Sequence, residues 1–289
     1  MTSRHVVSAD GTSLAVHESG NPDGPVVVAV HGFPDSHTVW DGVVAHLADR
    51  FRVVAYDVRG AGGSDKPRGR RAYRQDRLTA DLMAVVDAVS PDAPVHLLGH
   101  DWGSMQSWDA LADPALAPRF ASFTSISGPS LVYASRWLRQ RGHAAHSARQ
   151  LLTSTYMLVF QLPVLPELAA RAGVIRRGAE KVGGYDPHRG LAETSNGVNL
   201  YRANVLRQTM RTEPRRTLVP TLVLVPTEDR FSSPPVAAGA PVPWVDDLTV
   251  HEVAGGHWVV LQGPGPIAAE VAAFVQRHLP ADPKRRSRR

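Results

Sequence analysis

The pentapeptide Gly99-His100-Asp101-Trp102-Gly103 constrains this chain more than any other stretch. The apolar run Val95-His96-Leu97-Leu98 precedes it and a segment with helical spacing follows, which predicts a strand, a sharp turn and a helix in immediate succession. Glycines on both sides let strand and helix approach without collision, and a turn this tight holds its central residue in strained backbone geometry. That central residue is Asp101. An Asp that merely caps the following helix would suit the same position, so the two readings are separated by the partners found further along the chain.

A carboxylate at such a turn implies a particular chemistry. A serine oxygen that displaced a leaving group from saturated carbon would leave an ether, which water does not readily cleave. A carboxylate forms an ester instead, and water attacking its carbonyl releases product and restores the acid. Asp101 therefore points to opening a bond at sp³ carbon, as in an epoxide or a carbon–halogen bond.

The rest of the chain alternates strands with helices. Residues 5–17 alternate around Asp10-Gly11, predicting a two-residue hairpin joining two antiparallel edge strands. Val26–Val30 is a continuous apolar run of the kind buried on both faces of a parallel sheet. Helical spacing follows over Val39–Ala48, then a strand over Arg52–Tyr56, a helix over Leu78–Val89, the strand leading to Asp101, and a strand over Phe120–Ile126. From 129 to 215 the alternation stops, and the segment is helical, Arg-rich and aromatic. A stretch of that length cannot be a plain loop in a compact domain. Strands at Thr221–Val225 and Leu248–Val253 and a closing helix at Ile267–Leu279 complete the pattern. The expected architecture is α/β, a mostly parallel central sheet flanked by helices. A core of residues 1–128 and 216–280 carries a helical cap of residues 129–215, followed by a basic, disordered tail of residues 281–289.

An Asp nucleophile needs a base to activate the water that hydrolyses its ester. His257, in Ala254-Gly255-Gly256-His257-Trp258 after the last predicted strand, is the candidate among thirteen histidines. An ordinary surface-loop histidine is the competing reading. The base in turn needs an acid to fix its tautomer, and Asp229 in Pro226-Thr227-Glu228-Asp229-Arg230 suits that role. Glu228 is its rival, and a loop salt bridge with Arg230 the alternative. The strand Val26–Val30 runs into His31-Gly32-Phe33-Pro34, where the backbone N–H of Phe33 is expected to converge with that of Trp102 as an oxyanion hole. The glycine-rich stretch Asp57-Val58-Arg59-Gly60-Ala61-Gly62-Gly63-Ser64 lacks the spacing of a phosphate or dinucleotide site.

Composition narrows the classes further. With no cysteine in 289 residues, disulfides, thiol nucleophiles and cysteine-ligated metals are excluded. The formal net charge of +5 resides in Lys284, Arg285, Arg286, Arg288 and Arg289, so the body is near neutral and nucleic acid is not an expected partner. No apolar run reaches the length of a membrane span and the first ten residues are polar, so a soluble, cytoplasmic protein is expected.

Taken together, His31-Gly32-Phe33-Pro34, Asp57-Val58-Arg59-Gly60 with Gly63-Ser64, Gly99-His100-Asp101-Trp102-Gly103 and Gly256-His257-Trp258 resemble the motifs of α/β-hydrolases of the epoxide hydrolase family. The resemblance runs over nearly the whole chain. Ser104 departs from it, because the family usually has a further glycine there. The resemblance implies an α/β-hydrolase fold with a cap and the nucleophile–acid–base order Asp101, Asp229, His257. It also implies that Tyr156, four residues before Phe160-Gln161, and Tyr201 in Asn199-Leu200-Tyr201-Arg202 hold the epoxide oxygen from the cap. Packing against the core is the alternative role for both, and Tyr133 and Tyr185 are weaker substitutes. Phe33, Pro34, Trp102 and Phe160 are expected to bind substrate.

Two other readings stay open. Dehalogenases use the same Asp-centred turn, although haloalkane dehalogenases commonly place Asn where this chain has Phe33 and haloacetate dehalogenases place Arg where it has Trp102. A hydrolase fold kept as a non-catalytic ligand-binding protein is the third. Expected partners are a small lipophilic epoxide and water, with no cofactor and no metal, in a monomer or homodimer. Leu151, Leu152, Met157, Leu158, Val159 and Phe160 suggest an apolar pocket, with cap packing as the alternative.

Overall fold

The computed structural model describes residues 1–184, 191–211 and 213–279, the side chains of 191–193 excepted. Tyr185 and the basic tail lie outside the described residues. Eight strands form one sheet: β1 (Thr2–Val7), β2 (Ser13–Gly20), β3 (Val26–Val30), β4 (Arg52–Tyr56), β5 (Val95–His100), β6 (Phe120–Ile126), β7 (Thr221–Pro226) and β8 (Leu248–Val253). Their order is β1-β2-β4-β3-β5-β6-β7-β8. Only β2 runs against the others; every pairing from β4 to β8 is parallel.

The central strands are buried along nearly their whole length because both faces are covered. Val28, Val30, Val54, Tyr56 and Leu97 pack into one layer with the helices Gln75–Val89 and Trp102–Leu111. Their alternating neighbours Val27, Ala29, Val53, Ala55 and Leu98 pack into the other, against the helices Asp41–Leu47 and Pro264–Arg277. A period of two therefore divides each strand between two cores.

The hairpin differs from expectation in two ways. Val7 pairs with Ser13 and the Ser8 N–H donates to Thr12 O, so the connection is longer than two residues. Of the hairpin's two strands, β1 lies at the sheet edge and β2 does not, since β2 is paired on its other side with β4. The reason lies at Asp10: its side chain accepts from Thr12 N and is ion-paired with Arg59, which draws the turn onto the 57–64 loop. Arg59 is buried and also pairs with Asp81, and Ser64 Oγ receives Ala15 N, so this glycine-rich loop spends its polar groups on internal ties.

Between β6 and β7, the described residues form helices at Leu131–Leu138, Ala144–Thr153, Thr155–Val159, Leu165–Arg171, Val174–Lys181 and Leu191–Thr209. This helical segment meets the ends of β3 and β5: Phe33 packs edge-on against Phe160 and Tyr201, and Trp102 against Tyr201. Arg202 anchors it internally, reaching Phe160 O and pairing with Glu167. No helix among the described residues is long and apolar enough to cross a membrane.

Candidate active site

Asp101 stands between β5 and the helix Trp102–Leu111 with φ 48° and ψ −122°, a conformation that costs a non-glycine residue of order 1–3 kcal/mol. Its side chain makes no capping bond to that helix, which removes the helix-cap reading. Close packing enforces the turn. A Cβ on Gly103 would lie 2.0 Å from Val30 O, and one on Gly32 would lie 2.5 Å from both Cβ and Oδ2 of Asp101. Ser104 is accommodated because its hydroxyl, fully buried, donates to Gly128 O at 2.6 Å and meets Ser125 Oγ at 2.7 Å.

The carboxylate of Asp101 is buried and held from two sides. The Phe33 N–H donates to Oδ2 at 2.8 Å, and Nε2 of His257 lies 3.6 Å from Oδ1. The Trp102 N–H opens the helix and makes no hydrogen bond among the described residues, as expected of a first-turn donor.

Asp229 sits behind His257, its Oδ2 3.0 Å from Nδ1, and accepts the backbone N–H groups of Phe231 and Ser232 at 2.8 and 2.9 Å. Glu228 is exposed, and the Asp229 carboxylate is taken up by His257 and these N–H groups, with no ion pair to Arg230 among the described residues. Burial opposes the charge on Asp229, but His257 and these hydrogen bonds win and hold its pKa below the usual carboxylate range. Burial likewise opposes charge on His257, yet Asp229 and then Asp101 raise its pKa to about 10.

Tyr156 and Tyr201 arrive from two helices of the segment above the sheet, their ring centroids 5.9 Å apart. Both border one cavity of about 290 Å³ with Asp101, His257, Phe33, Pro34 and Phe160. Tyr156 is half-buried, and its hydroxyl lies beside that of Tyr201. Burial, reinforced by neighbouring groups that include Asp101, pushes both phenol pKa values above the ordinary value, so both stay protonated. Tyr133 points elsewhere, its hydroxyl donating to Arg215 O at 2.6 Å.

Two expectations are corrected here. Trp102 does not border the cavity: its side chain is buried behind Tyr201, because the turn that presents Asp101 directs the next side chain into the core. Of Leu151, Leu152, Met157, Leu158, Val159 and Phe160, Phe160 borders the cavity of Asp101, while Leu151, Met157 and Leu158 line a separate, mostly apolar cavity of about 440 Å³. Leu152 and Val159 are exposed and border neither cavity, because short helices with apolar residues on several sides turn some of them outward.

Sequence reasoning missed the groups that support the constellation. Phe231 packs edge-on against His257 and Tyr156, His100 Nε2 bonds His257 O at 2.8 Å, and Trp258 Nε1 donates to Asp35 at 2.9 Å. The Asp229 carboxylate closes an Asx-type turn by accepting the Phe231 and Ser232 N–H groups, which is what carries Phe231 back against His257.

A mostly parallel sheet whose strand ends present an Asp on a strained turn, backed by a His–Asp pair, defines the α/β hydrolase class. A family model described as alpha/beta hydrolase fold matches residues 25–264, and the chain belongs to that family. It is 38% identical over 305 aligned positions to the "Probable oxidoreductase EphD" of Mycobacterium tuberculosis, covering 99% of this chain and 51% of that protein. It is 36% identical over 184 positions to "Epoxide hydrolase A" of the same organism, covering 63% of this chain and 55% of that one. The chain thus spans about half the length of these curated relatives. Among solved structures, one described as belonging to "Novel epoxide hydrolases belonging to the alpha/beta hydrolases superfamily in metagenomes from hot environments" superposes with a TM-score of 0.78 at 25% identity. That match covers 95% of this chain and 98% of the other.

Proposed function

We propose that this chain opens epoxides to vicinal diols through an ester on Asp101. The observation that carries the reading is that the Asp101 carboxylate, His257 backed by Asp229, and two tyrosines border one small, mainly apolar cavity. Its volume of about 290 Å³ is near the lower end of ordinary ligand pockets, which suits a compact lipophilic epoxide.

In the first step an Asp101 oxygen attacks a ring carbon and the carbon–oxygen bond of the epoxide breaks. The alkoxide takes a proton from one phenol while the second donates a hydrogen bond. Uncharged donors suit this position, since an ammonium beside Asp101 would pair with the nucleophile and blunt it. In the second step His257 takes a proton from water as the hydroxide attacks the Asp101 carbonyl carbon. The N–H groups of Phe33 and Trp102 receive the oxyanion. His257, having first given its own proton to the phenolate left by the first step, keeps the one taken from water. The remaining water proton leaves with the diol, which carries the original Asp101 oxygen, so Asp101 is ionised, His257 protonated and the phenol neutral as at the start.

The electrostatics support this order. In the free enzyme the negative charge of Asp101 is one of the influences that keep His257 protonated. Esterification removes that charge, so His257 becomes more able to exist as a neutral base when water must be activated.

The test is a single turnover in ¹⁸O-water with enzyme in excess, using a styrene-type epoxide. The oxygen added to the diol should come from Asp101, with heavy oxygen left in the protein; heavy oxygen in the first-turnover diol would exclude the ester route.

A further inference from the structure

Asp57 follows β4, one strand over from the Phe33 loop, and is 1% exposed at its side chain. Three imidazoles surround it. His31 is fully engaged, its Nε2 receiving Val58 N at 2.9 Å and its Nδ1 2.8 Å from Gly32 O. The other two are arranged differently. His37 Nδ1 lies 2.9 Å from Asp57 Oδ1, whereas His17 Nε2 lies 3.5 Å from Oδ2, buried and without a hydrogen-bond partner. The His17 and His37 rings are stacked, centroids 3.5 Å apart and planes within 11°. A ring nitrogen of a neutral imidazole is a metal ligand.

We propose that His17, His37 and Asp57 form a binding site for a divalent transition-metal ion, specifically zinc. One donor atom from each residue lies within 4.8 Å of the other two. Zinc bonds of about 2.0–2.2 Å place neighbouring ligand atoms ~3.3 Å apart at a tetrahedral angle; His37 Nδ1 lies 2.9 Å from Asp57 Oδ1 and His17 Nε2 3.5 Å from Oδ2, so the carboxylate presents one oxygen to each imidazole. Two nitrogens and a carboxylate oxygen suit zinc; calcium and magnesium favour oxygen-rich shells. Ser3 Oγ lies 3.0 Å from His17 Nδ1, the outer hydrogen bond that fixes a ligating histidine with its other nitrogen toward the metal. Asp57 Oδ2 is similarly held by Gly63 N at 2.8 Å. The cluster borders a surface cavity of about 640 Å³, through which an ion can enter and water can complete its coordination.

Such an ion would join three separate pieces of chain: β2 through His17, the segment after the Phe33 loop through His37, and the glycine-rich loop through Asp57. Its role is therefore structural, and it is independent of the reaction proposed for Asp101.

The experiment uses the full chain without a histidine tag, stripped of metal by chelator and desalted. Titration calorimetry with zinc chloride should show one strong site. X-ray absorption at the zinc edge should show two imidazole nitrogens and oxygen ligands at about 2.0–2.2 Å. His17→Gln and His37→Gln should each weaken binding at least about tenfold, while His251→Gln, which alters a separate His–Glu pair, should bind like the parent. The proposal is overturned if the parent shows no one-to-one binding or if absorption finds fewer than two imidazoles. Parental affinity in either folded variant also overturns it. Should both variants fail to fold, the absorption spectrum of the parent decides alone.

Discussion

His257 reaches the two aspartates in opposite directions: its Nδ1 lies 3.0 Å from Asp229 and its Nε2 lies 3.6 Å from Asp101. The close, doubly anchored contact with Asp229 orients the ring. The longer one leaves the Asp101 side as the place where water would be activated after the ester forms.

Removing the base should separate the two chemical steps. His257→Gln cannot accept a proton from water but leaves the Asp101 carboxylate and the Phe33 N–H in place. Incubation with a styrene-type epoxide should therefore add one substrate mass to the protein, located on Asp101 by peptide mass spectrometry. A folded but unmodified variant would count against the assigned role.

The tyrosines should act as partly redundant donors. Either Tyr156→Phe or Tyr201→Phe should slow ester formation yet leave measurable turnover. The double change should remove most of the roughly 10²–10⁴-fold that positioned acid catalysis contributes. A halide needs no proton, so any dehalogenation should be far less sensitive. Stopped-flow measurement of ester formation with both substrate types checks this, and parental epoxide hydrolysis by the double variant would reduce the tyrosines to packing groups.

Protonation of His257 should stabilise the fold in a defined pH window. Its folded pKa of about 10 lies above its ordinary value near 6.5, so the folded state binds the proton more tightly. That contribution is fully present below about pH 6.5 and is lost as pH rises toward 10. The stability difference between parent and His257→Gln in urea melts should shrink across this interval. A constant difference from pH 6 to 10 would contradict the assigned coupling.

Gly103→Ala tests the turn itself. The added Cβ would fall 2.0 Å from Val30 O, so strand β3 or the helix must shift. Overpacking of this kind typically costs ~1–3 kcal/mol, and turnover should suffer more than stability because the Phe33–Asp101 contact depends on the same approach. Circular dichroism melts with parallel kinetics check both; a parental melting temperature and rate would show that the turn tolerates a side chain.

Much of the sheet was legible from local pattern. Val26–Val30, Arg52–Tyr56, Phe120–Ile126 and Leu248–Val253 occupy the predicted residues, since strand formation follows apolar runs bounded by turn-forming residues. The Asp101 turn was legible for a similar reason: its glycines answer steric demands that arise within a few residues. The tertiary structure decided what depends on distant packing. It chose Asp229 over Glu228, turned Trp102 into the core, and left Leu151 and Leu152 outside the cavity while bringing Phe160 into it. It also set Tyr156 and Tyr201 opposite Asp101 and gathered His17, His37 and Asp57. Sequence patterns report which residues prefer burial and which backbone shapes they allow, whereas these meetings depend on how β2, β4, the strand-end loops and the upper helices pack together.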